Sequence, residues 1–315
     1  MKKILILGGC GYVGSPLVER LLNKGHKVDV IDNQWFGVNL DKSRNLKIIK
    51  KDIRNITKKD FQGKAYDCLI HLANIANDPS VDLNPLLSWE VNVLAFKNII
   101  ELSIDNKIKK FIYASSGSVY GISKSKKVTE NHDLIPISYY NKTKMIAERV
   151  LLSYQKKIKI YIARPGTICG ISRRTRLDVV VNMFCYQAYK NKKIKIFGGS
   201  QIRPNIHIDD MINAYEFFLN KKIEPGVYNL GNENLSINNI AKLVSKYSGC
   251  KIYKTKSNDN RSYRLDSSKI VSKGFKFTKS VDNAISEVLN SLKNKQILIK
   301  DEMFTVSWMS KNNYK

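Results

Sequence analysis

Cysteine is scarce and scattered. Cys10, Cys68, Cys169, Cys185 and Cys250 are an odd number with no C-x-x-C among them, which argues against a disulfide framework and a cysteine-held zinc. Histidine is scarcer: His26, His71, His132 and His207 stand alone, with no H-E-x-x-H, so no metal centre is expected. No apolar run approaches the roughly 18 residues that a membrane span needs, and no internal repeat, low-complexity linker or disordered tail stands out. The start, "MKKILILGGCGYVGS", opens as a secretory leader does, but its apolar stretch is short, breaks into glycines and lacks a small-residue cleavage site. A cytoplasmic location is the expectation.

Acidic residues are also few: 27 Asp and Glu against 54 Lys and Arg give a formal charge of +27. Three readings compete: a nucleic-acid surface, an anionic small substrate, or lysine used widely for solubility. The lysines are spread through "NKIKK", "SKSKK", "QKKIKI" and "KNKKIKI" without aromatic interleaving, which favours solubility over RNA binding.

What is present is an alternation. "KKILILGG" reads as a strand ending in glycines, "SPLVERLLNKG" as a helix and "KVDVID" as a second strand. "NLKIIKKDI", "YDCLIHLA", a helix through "NVLAFKNIIELS", "KKFIYASS", a helix from about Ser138 to Gln155 and "KIKIYIARP" continue the rhythm to residue 165. This predicts an α/β fold, a Rossmann-type doubly wound parallel sheet. Beyond Pro165 a helix near "LDVVVNMFCYQAYKN", a strand at "KIKIFG" and helices near "IDDMINAYEFFLN" and "SINNIAKLVSKYSG" predict a smaller mixed α/β domain. The expected division is 1–165 and 166–315, with some segments returning to the first unit.

"GGCGYVG" places Gly8, Gly11 and Gly14 between the first strand and the first helix. Glycine there permits a tight turn, close approach of backbone N–H groups to a pyrophosphate, and packing of helix on strand. Asp32 ends the second strand about twenty residues on, where a carboxylate accepts hydrogen bonds from an adenosine ribose and repels a 2′-phosphate. NAD rather than NADP is therefore the expected cofactor.

"PISYYNKTKMIAE" puts Tyr140 four residues before Lys144, on one helix face. The interval alone is weak, because Tyr120 and Lys124, Tyr186 and Lys190, Tyr189 and Lys193, and Tyr247 and Lys251 share it.

With "GGCGYVG", "VIDNQWFG", "KDIRN", "IHLANIA", "NVLAFKNIIE", "YASSGSVYG", "PISYYNKTKMIAE", "IARPGTICG", "RPNIHIDDM", "YNLGN" and "RSYRLDSSKI" in this order, the chain resembles the extended short-chain dehydrogenase/reductase family, in particular its nucleotide-sugar epimerases, dehydratases and dehydrogenases. The likeness runs from about Lys3 to Phe277. It implies an NAD-binding domain followed by a nucleotide-sugar-binding domain. Cofactor contacts are implied at Gly8, Gly11, Tyr12, Val13, Gly14, Asp32 and Asn33. Asp52 and Ile53 would lie at the adenine, and Leu72, Ala73 and Asn74 along the diphosphate and ribose. The catalytic tyrosine and lysine of the family pattern fall on Tyr140 and Lys144, which also touch the cofactor, and the trailing acid on Glu148. Tyr139 takes the variable place before the tyrosine, and its expected role is packing. The catalytic Ser or Thr falls on Ser116, with Ser115 and Ser118 as hydrogen-bonding neighbours.

By this resemblance Tyr140, its phenolate favoured by Lys144 and the nicotinamide charge, takes a proton from a sugar hydroxyl, usually at C4. The product is a 4-keto nucleotide sugar, ending in net dehydrogenation or, after hydride return, in epimerisation. Dehydratases of the best-known type carry Asp-Glu after the catalytic residue, where Gly117 and Ser118 stand here, so dehydration is the lesser alternative. A catalytically idle nucleic-acid-binding scaffold is the alternative from another class. Expected substrate contacts are Ser116, Ser118, Thr167, Arg176, Asn182, Arg203 and Arg261. Thr167 and Cys169 stand where relatives have Asn and Tyr. Arg173, Arg174 and Arg176 in "SRRTRLD" either reach an anionic sugar or face water. "NQWFG", "NDPSVDLNP" and "RTRLDVVVN" are similar to a subgroup linked to bacterial surface polysaccharides and capsule sugars, including GDP-heptoses. The resemblance further implies a homodimer built on the helices holding "NVLAFKNIIELS" and "YNKTKMIAERVLLS".

Overall fold

A computed structural model describes residues 1–256, 262–312 and 314. Among these residues twelve strands run β1 (Lys3–Leu7), β2 (Lys27–Asp32), β3 (Leu46–Lys50), β4 (Cys68–His71), β5 (Lys110–Ala114), β6 (Lys159–Pro165), β7 (Thr167–Cys169), β8 (Lys193–Phe197), β9 (Ile202–His207), β10 (Gly226–Leu230), β11 (Glu233–Ser236) and β12 (Lys251–Thr255). The helices are α1 (Gly14–Asn23), α2 (Asp78–Leu83), α3 (Pro85–Trp89), α4 (Ala95–Asp105), α5 (Tyr139–Ser153), α6 (Val180–Asn191), α7 (Ile208–Asn220), α8 (Ile237–Ser248), α9 (Ser268–Ser272), α10 (Val281–Lys293) and α11 (Thr305–Lys311). A π-helical turn at Glu90–Leu94 leads from α3 into α4.

Seven parallel strands form the main sheet in the order β10-β6-β5-β4-β1-β2-β3. Both faces are covered, which is why its strands read as nearly continuous apolar runs. Side chains alternate between the faces: Ile4 and Ile6 pack with Leu17, Val18 and Leu21 of α1, while Leu5 and Leu7 pack with Phe96, Ile99 and Ile100 of α4 and Leu151 of α5.

Two elements from beyond residue 165 lie on the main sheet. Helix α7 packs Met211, Ile212, Tyr215 and Phe218 onto the main sheet, and β10 pairs with β6 as that sheet's edge strand. An amphipathic helix carries no signature of which sheet it will cover, so periodicity alone did not assign it. The β/α rhythm also lapses after β2, where no helix precedes β3.

The second layer has its own core, in which Val181, Phe184 and Cys185 of α6 meet Ile240 and Val244 of α8 and Ile285 and Val288 of α10. Its strands form β11-β9-β7 and β12-β8. The strand order reverses between β1 and β4, and in open parallel sheets the crevice at the carboxyl ends of such a pair is where ligands bind.

Candidate active site

The loops leaving β1 and β4 meet at this crevice. Gly8 has φ +82°, and a Cβ on it would lie 2.5 Å from the Ala73 backbone nitrogen. A Cβ on Gly14 would lie 2.4 Å from the Gly8 carbonyl oxygen, so α1 closes onto the turn only with glycine there. Above Gly11 the nearest atom to such a Cβ is the Gly8 oxygen at 3.5 Å, leaving this backbone open to the cleft. The N–H groups of Tyr12, Val13 and Gly14 find no acceptor among the described residues. Free amides at a helix start, in a crevice walled by backbone, form a cradle for an anion.

Asp32 fixes the turn from the side. Its carboxylate accepts from the N–H of Cys10 at 3.0 Å and of Gln34 at 2.7 Å. Burial pushes its pKa up, against these two hydrogen bonds and the nearby Arg174. Asn33, Asp52, Ile53, Leu72, Ala73 and Asn74 complete a narrow part of the crevice of about 110 Å³. Asp52 also caps the turn at Ile53–Asn55 and pairs with Arg54 at 3.0 Å. These residues fit the adenosine half of a dinucleotide, with the free amides left for its diphosphate.

The crevice widens to about 580 Å³ past the glycine turn, where Tyr12, Val13, Ser116, Ser118, Tyr140 and Lys144 line it together with Thr167, Arg176 and Arg203 of the second layer. The spacing of "PISYYNKTK" has a local cause. Ser138 caps α5 by accepting from the Asn141 N–H, and also donates to Asp78. That cap places Tyr140 in the first turn and Lys144 one turn later. Lys144 Nζ lies 5.8 Å from the centre of the Tyr140 ring and donates to the Ala114 carbonyl at 2.7 Å.

Burial governs the charges here. It pushes the Tyr140 hydroxyl well above the ordinary tyrosine range, with the Asp78 carboxylate adding to it and a hydrogen bond from Ser116 and the charge of Arg176 opposing it. Lys144 is pushed down to about 7 by burial, with Glu148 opposing. Burial is the largest of these influences, so the chain's own groups favour the phenol, and the expected phenolate depends on the nicotinamide charge as well.

Glu148 and its partners back the wall. The carboxylate accepts from Arg164 Nη2 at 2.6 Å and Nε at 3.0 Å, and from the Ser115 hydroxyl. Both charged side chains are at most 5% exposed. Arg164 continues to the Tyr120 hydroxyl at 2.6 Å, and Tyr120 to Asn229 at 2.8 Å.

One expected substrate residue needs correcting, and the arginine cluster resolves into separate roles. Asn182 is fully buried and spends its amide on Gly170, the Tyr12 hydroxyl and the Arg176 carbonyl; it fastens the second layer to the glycine turn and does not reach the cleft. Arg174 and Arg176 do not face water. Both are buried, Arg176 bidentate to Asp178 at 2.8 and 3.0 Å, while Arg173 is outside on Glu19 and Asp41. Arg261 lies outside the described residues.

Several lining residues carried no expected role. Trp35 and Phe36 wall both parts of the crevice, and α11 and the chain beyond it lie against them: Trp308 of α11 is 4.9 Å from Phe36, and Tyr314, past the helix, 4.1 Å from Trp35. The aromatic pair after Asp32 and the aromatic-rich end of the chain were the available signals. Asn92 joins the loop after β4 to α5 through Ile75 and Thr143.

Comparison with known proteins agrees with this architecture. A family model described as "NAD dependent epimerase/dehydratase family" matches residues 4–231. A "Putative UDP-glucose 4-epimerase" of Methanocaldococcus jannaschii is 30% identical over 306 residues, 92% of this chain and 98% of that one. The UDP-glucose 4-epimerase of Lactobacillus helveticus is 27% identical over 269 residues, 77% and 82% of the two chains. Among solved structures, a variant UDP-glucuronic acid 4-epimerase from Bacillus cereus, in complex with UDP-4-deoxy-4-fluoro-glucuronic acid and NAD, superposes with a TM-score of 0.83 at 28% identity, covering 93% of this chain and 99% of that one. With the glycine cradle, the acid closing β2 and this match over most of its length, the chain belongs to the NAD-dependent epimerase/dehydratase family.

Proposed function

We propose that the chain is an NAD-dependent nucleotide-sugar 4-epimerase, with residues 1–165 chiefly holding the cofactor and 166–315 the nucleotide sugar. The observation that carries this reading is the convergence of Ser116, Tyr140 and Lys144 on one wall of the wide cleft, beside the free amides of the glycine turn. When bound, NAD supplies a hydride acceptor and a positively charged ring. Beside that charge Tyr140 would be the phenolate that takes the proton of the sugar's C4 hydroxyl, with Ser116 hydrogen-bonded to the same oxygen and the protonated form of Lys144 adding to the pull toward phenolate. Ser118, Thr167, Arg176 and Arg203 line the substrate end, and guanidinium groups suit a nucleotide diphosphate. Arg261 belongs to the same proposal on sequence grounds alone.

Epimerisation needs no group beyond these three. Release of the ketone would make the chain a 4-dehydrogenase. Dehydration is the second reading, supported by the likeness to a dTDP-D-glucose 4,6-dehydratase of Dictyostelium discoideum, 29% identical over 257 residues. One experiment separates the three: NAD and a panel of nucleotide-linked hexoses and heptoses, GDP-heptoses included, followed by near-ultraviolet absorbance and mass spectrometry. Flat absorbance with an isomer formed is the expected result. Accumulating reduced nicotinamide would establish a dehydrogenase, loss of water a dehydratase, and no conversion of any sugar would overturn the reading.

A homodimer is part of the same proposal, pairing the helices that hold residues 92–103 and 140–153. Leu94, 65% exposed at the start of the first of these helices, supports it. Light scattering should give twice the 36.0 kDa chain mass; a monomer would refute the pairing.

A further inference from the structure

Three arginines stand within four residues at 173–176, and their fates differ. Arg173 has Asp41 at 2.6 Å and Glu19 at 3.2 Å, and Arg176 has Asp178 at 2.8 Å. Arg174 has no carboxylate within 4 Å among the described residues, although its side chain is only 5% exposed. Its Nη2 donates to two neutral acceptors, the Glu302 carbonyl at 2.8 Å and the Thr305 hydroxyl at 2.9 Å. Its Nε is buried without an acceptor, and Nη1 makes no hydrogen bond among the described residues. The guanidinium lies over the Phe36 ring at 3.9 Å. Burial, with Arg176 adding to it, pushes its pKa down to about 9.

A buried cation without an anion is costly, and this one stands on the wall of the wide cleft that also holds Gly11, Tyr12, Val13 and Gly14. The cation and the free amides of the glycine turn thus face one space. Arg174 is held there from outside the cofactor domain: Leu177 N–H donates to the Met303 carbonyl, and Thr305 N–H to Asp178, both at 2.9 Å. These bonds tie the arginine loop to the start of α11.

We propose that Arg174 is a cofactor-binding residue that clamps the dinucleotide's diphosphate against the glycine turn, with α11 setting its position. The unspent donors of the fork belong to a residue that lines the same cleft as Tyr12 and Val13, and a planar guanidinium matches phosphate oxygens. The nucleotide sugar also carries a diphosphate, but the contact with Phe36 and the influence on Asp32 put Arg174 on the cofactor side. This inference rests on the NAD reading above.

The test is calorimetric titration of the full chain and of Arg174→Gln with NAD, ADP-ribose and UDP at several salt concentrations. The variant should bind NAD and ADP-ribose about 10- to 100-fold more weakly, as for loss of a charge-assisted phosphate contact. UDP affinity should stay within about twofold, and the salt dependence of NAD binding should become shallower. Unchanged NAD affinity overturns the proposal. A fall in UDP affinity alone assigns the arginine to the sugar nucleotide and overturns it too, as does weaker NAD binding with an unaltered salt slope, which marks a structural role. Arg174→Lys, which keeps the charge, should retain an intermediate affinity and serves if the Gln variant does not fold. Failure of the unaltered chain to bind NAD would defeat the cofactor reading itself, a different result from an unaltered chain and a variant that bind alike.

Discussion

Tyr140→Phe should lower turnover by about 10²- to 10⁴-fold, the usual contribution of a positioned general acid or base, while NAD affinity stays within about threefold, a change of under 1 kcal/mol. The ring remains, so the wall of the cleft and the packing beneath it are preserved; only the proton-carrying oxygen is removed. Steady-state assay of the variant on the converted sugar, beside a titration with NAD, gives both numbers. Undiminished turnover would remove Tyr140 from the mechanism. Tyr139→Phe is the internal control: that residue is half exposed, and its ring lies 5.7 Å from Lys142 on the outer side of α5, so its loss should change the rate little.

The largest effect on stability is expected at Glu148. In Glu148→Ala the Arg164 guanidinium, 5% exposed, loses its only carboxylate partner among the described residues. Breaking a buried pair by removing one member costs about 3–5 kcal/mol, because the remaining charge is stranded. Urea unfolding of the variant measures this directly, and a loss under about 1 kcal/mol would show that water or Tyr120 replaces the carboxylate. Removing both charges with Glu148→Leu and Arg164→Met should recover part of the loss, since no stranded ion is left. Glu148 also receives the hydroxyl of Ser115, next to Ser116, so the single variant should lose activity even where it is folded.

The parts of the site legible in the sequence are those where backbone geometry dictates the residue. At Gly8 and Gly14 any side chain would strike the Ala73 or Gly8 backbone, so the glycines show the turn before any coordinates do. Ser138, Tyr140 and Lys144 are legible because a helix cap and one helical turn fix their intervals. Asn182, Arg174 and Arg176 are not of this kind. They sit in or near a loop whose course depends on distant residues such as Met303 and Thr305, and the same letters serve a ligand contact, a fastening or a solvated surface. The push that burial gives to Tyr140 and Lys144 is hidden for a related reason: a charge four residues away is visible in the sequence, whereas the depth at which both groups are buried is not. Trp35, Phe36 and Trp308 escaped because an aromatic residue in sequence does not declare which surface it will cover.

The placement of β10 sets the order of events at synthesis. Strand β6 ends at Pro165, yet its outer neighbour begins at Gly226, so about sixty residues must leave the ribosome before the sheet's last ladder can close. Until then the nascent chain presents Lys159–Pro165 as an unpaired edge, the kind of surface that templates association with other chains. A fragment ending at residue 165 would keep that edge permanently and would lack the Met211, Tyr215 and Phe218 cover of α7 as well. Gene fusions or split-protein designs cut at the apparent domain boundary should therefore yield insoluble halves, whereas a cut after Leu230 leaves all seven strands of the sheet together.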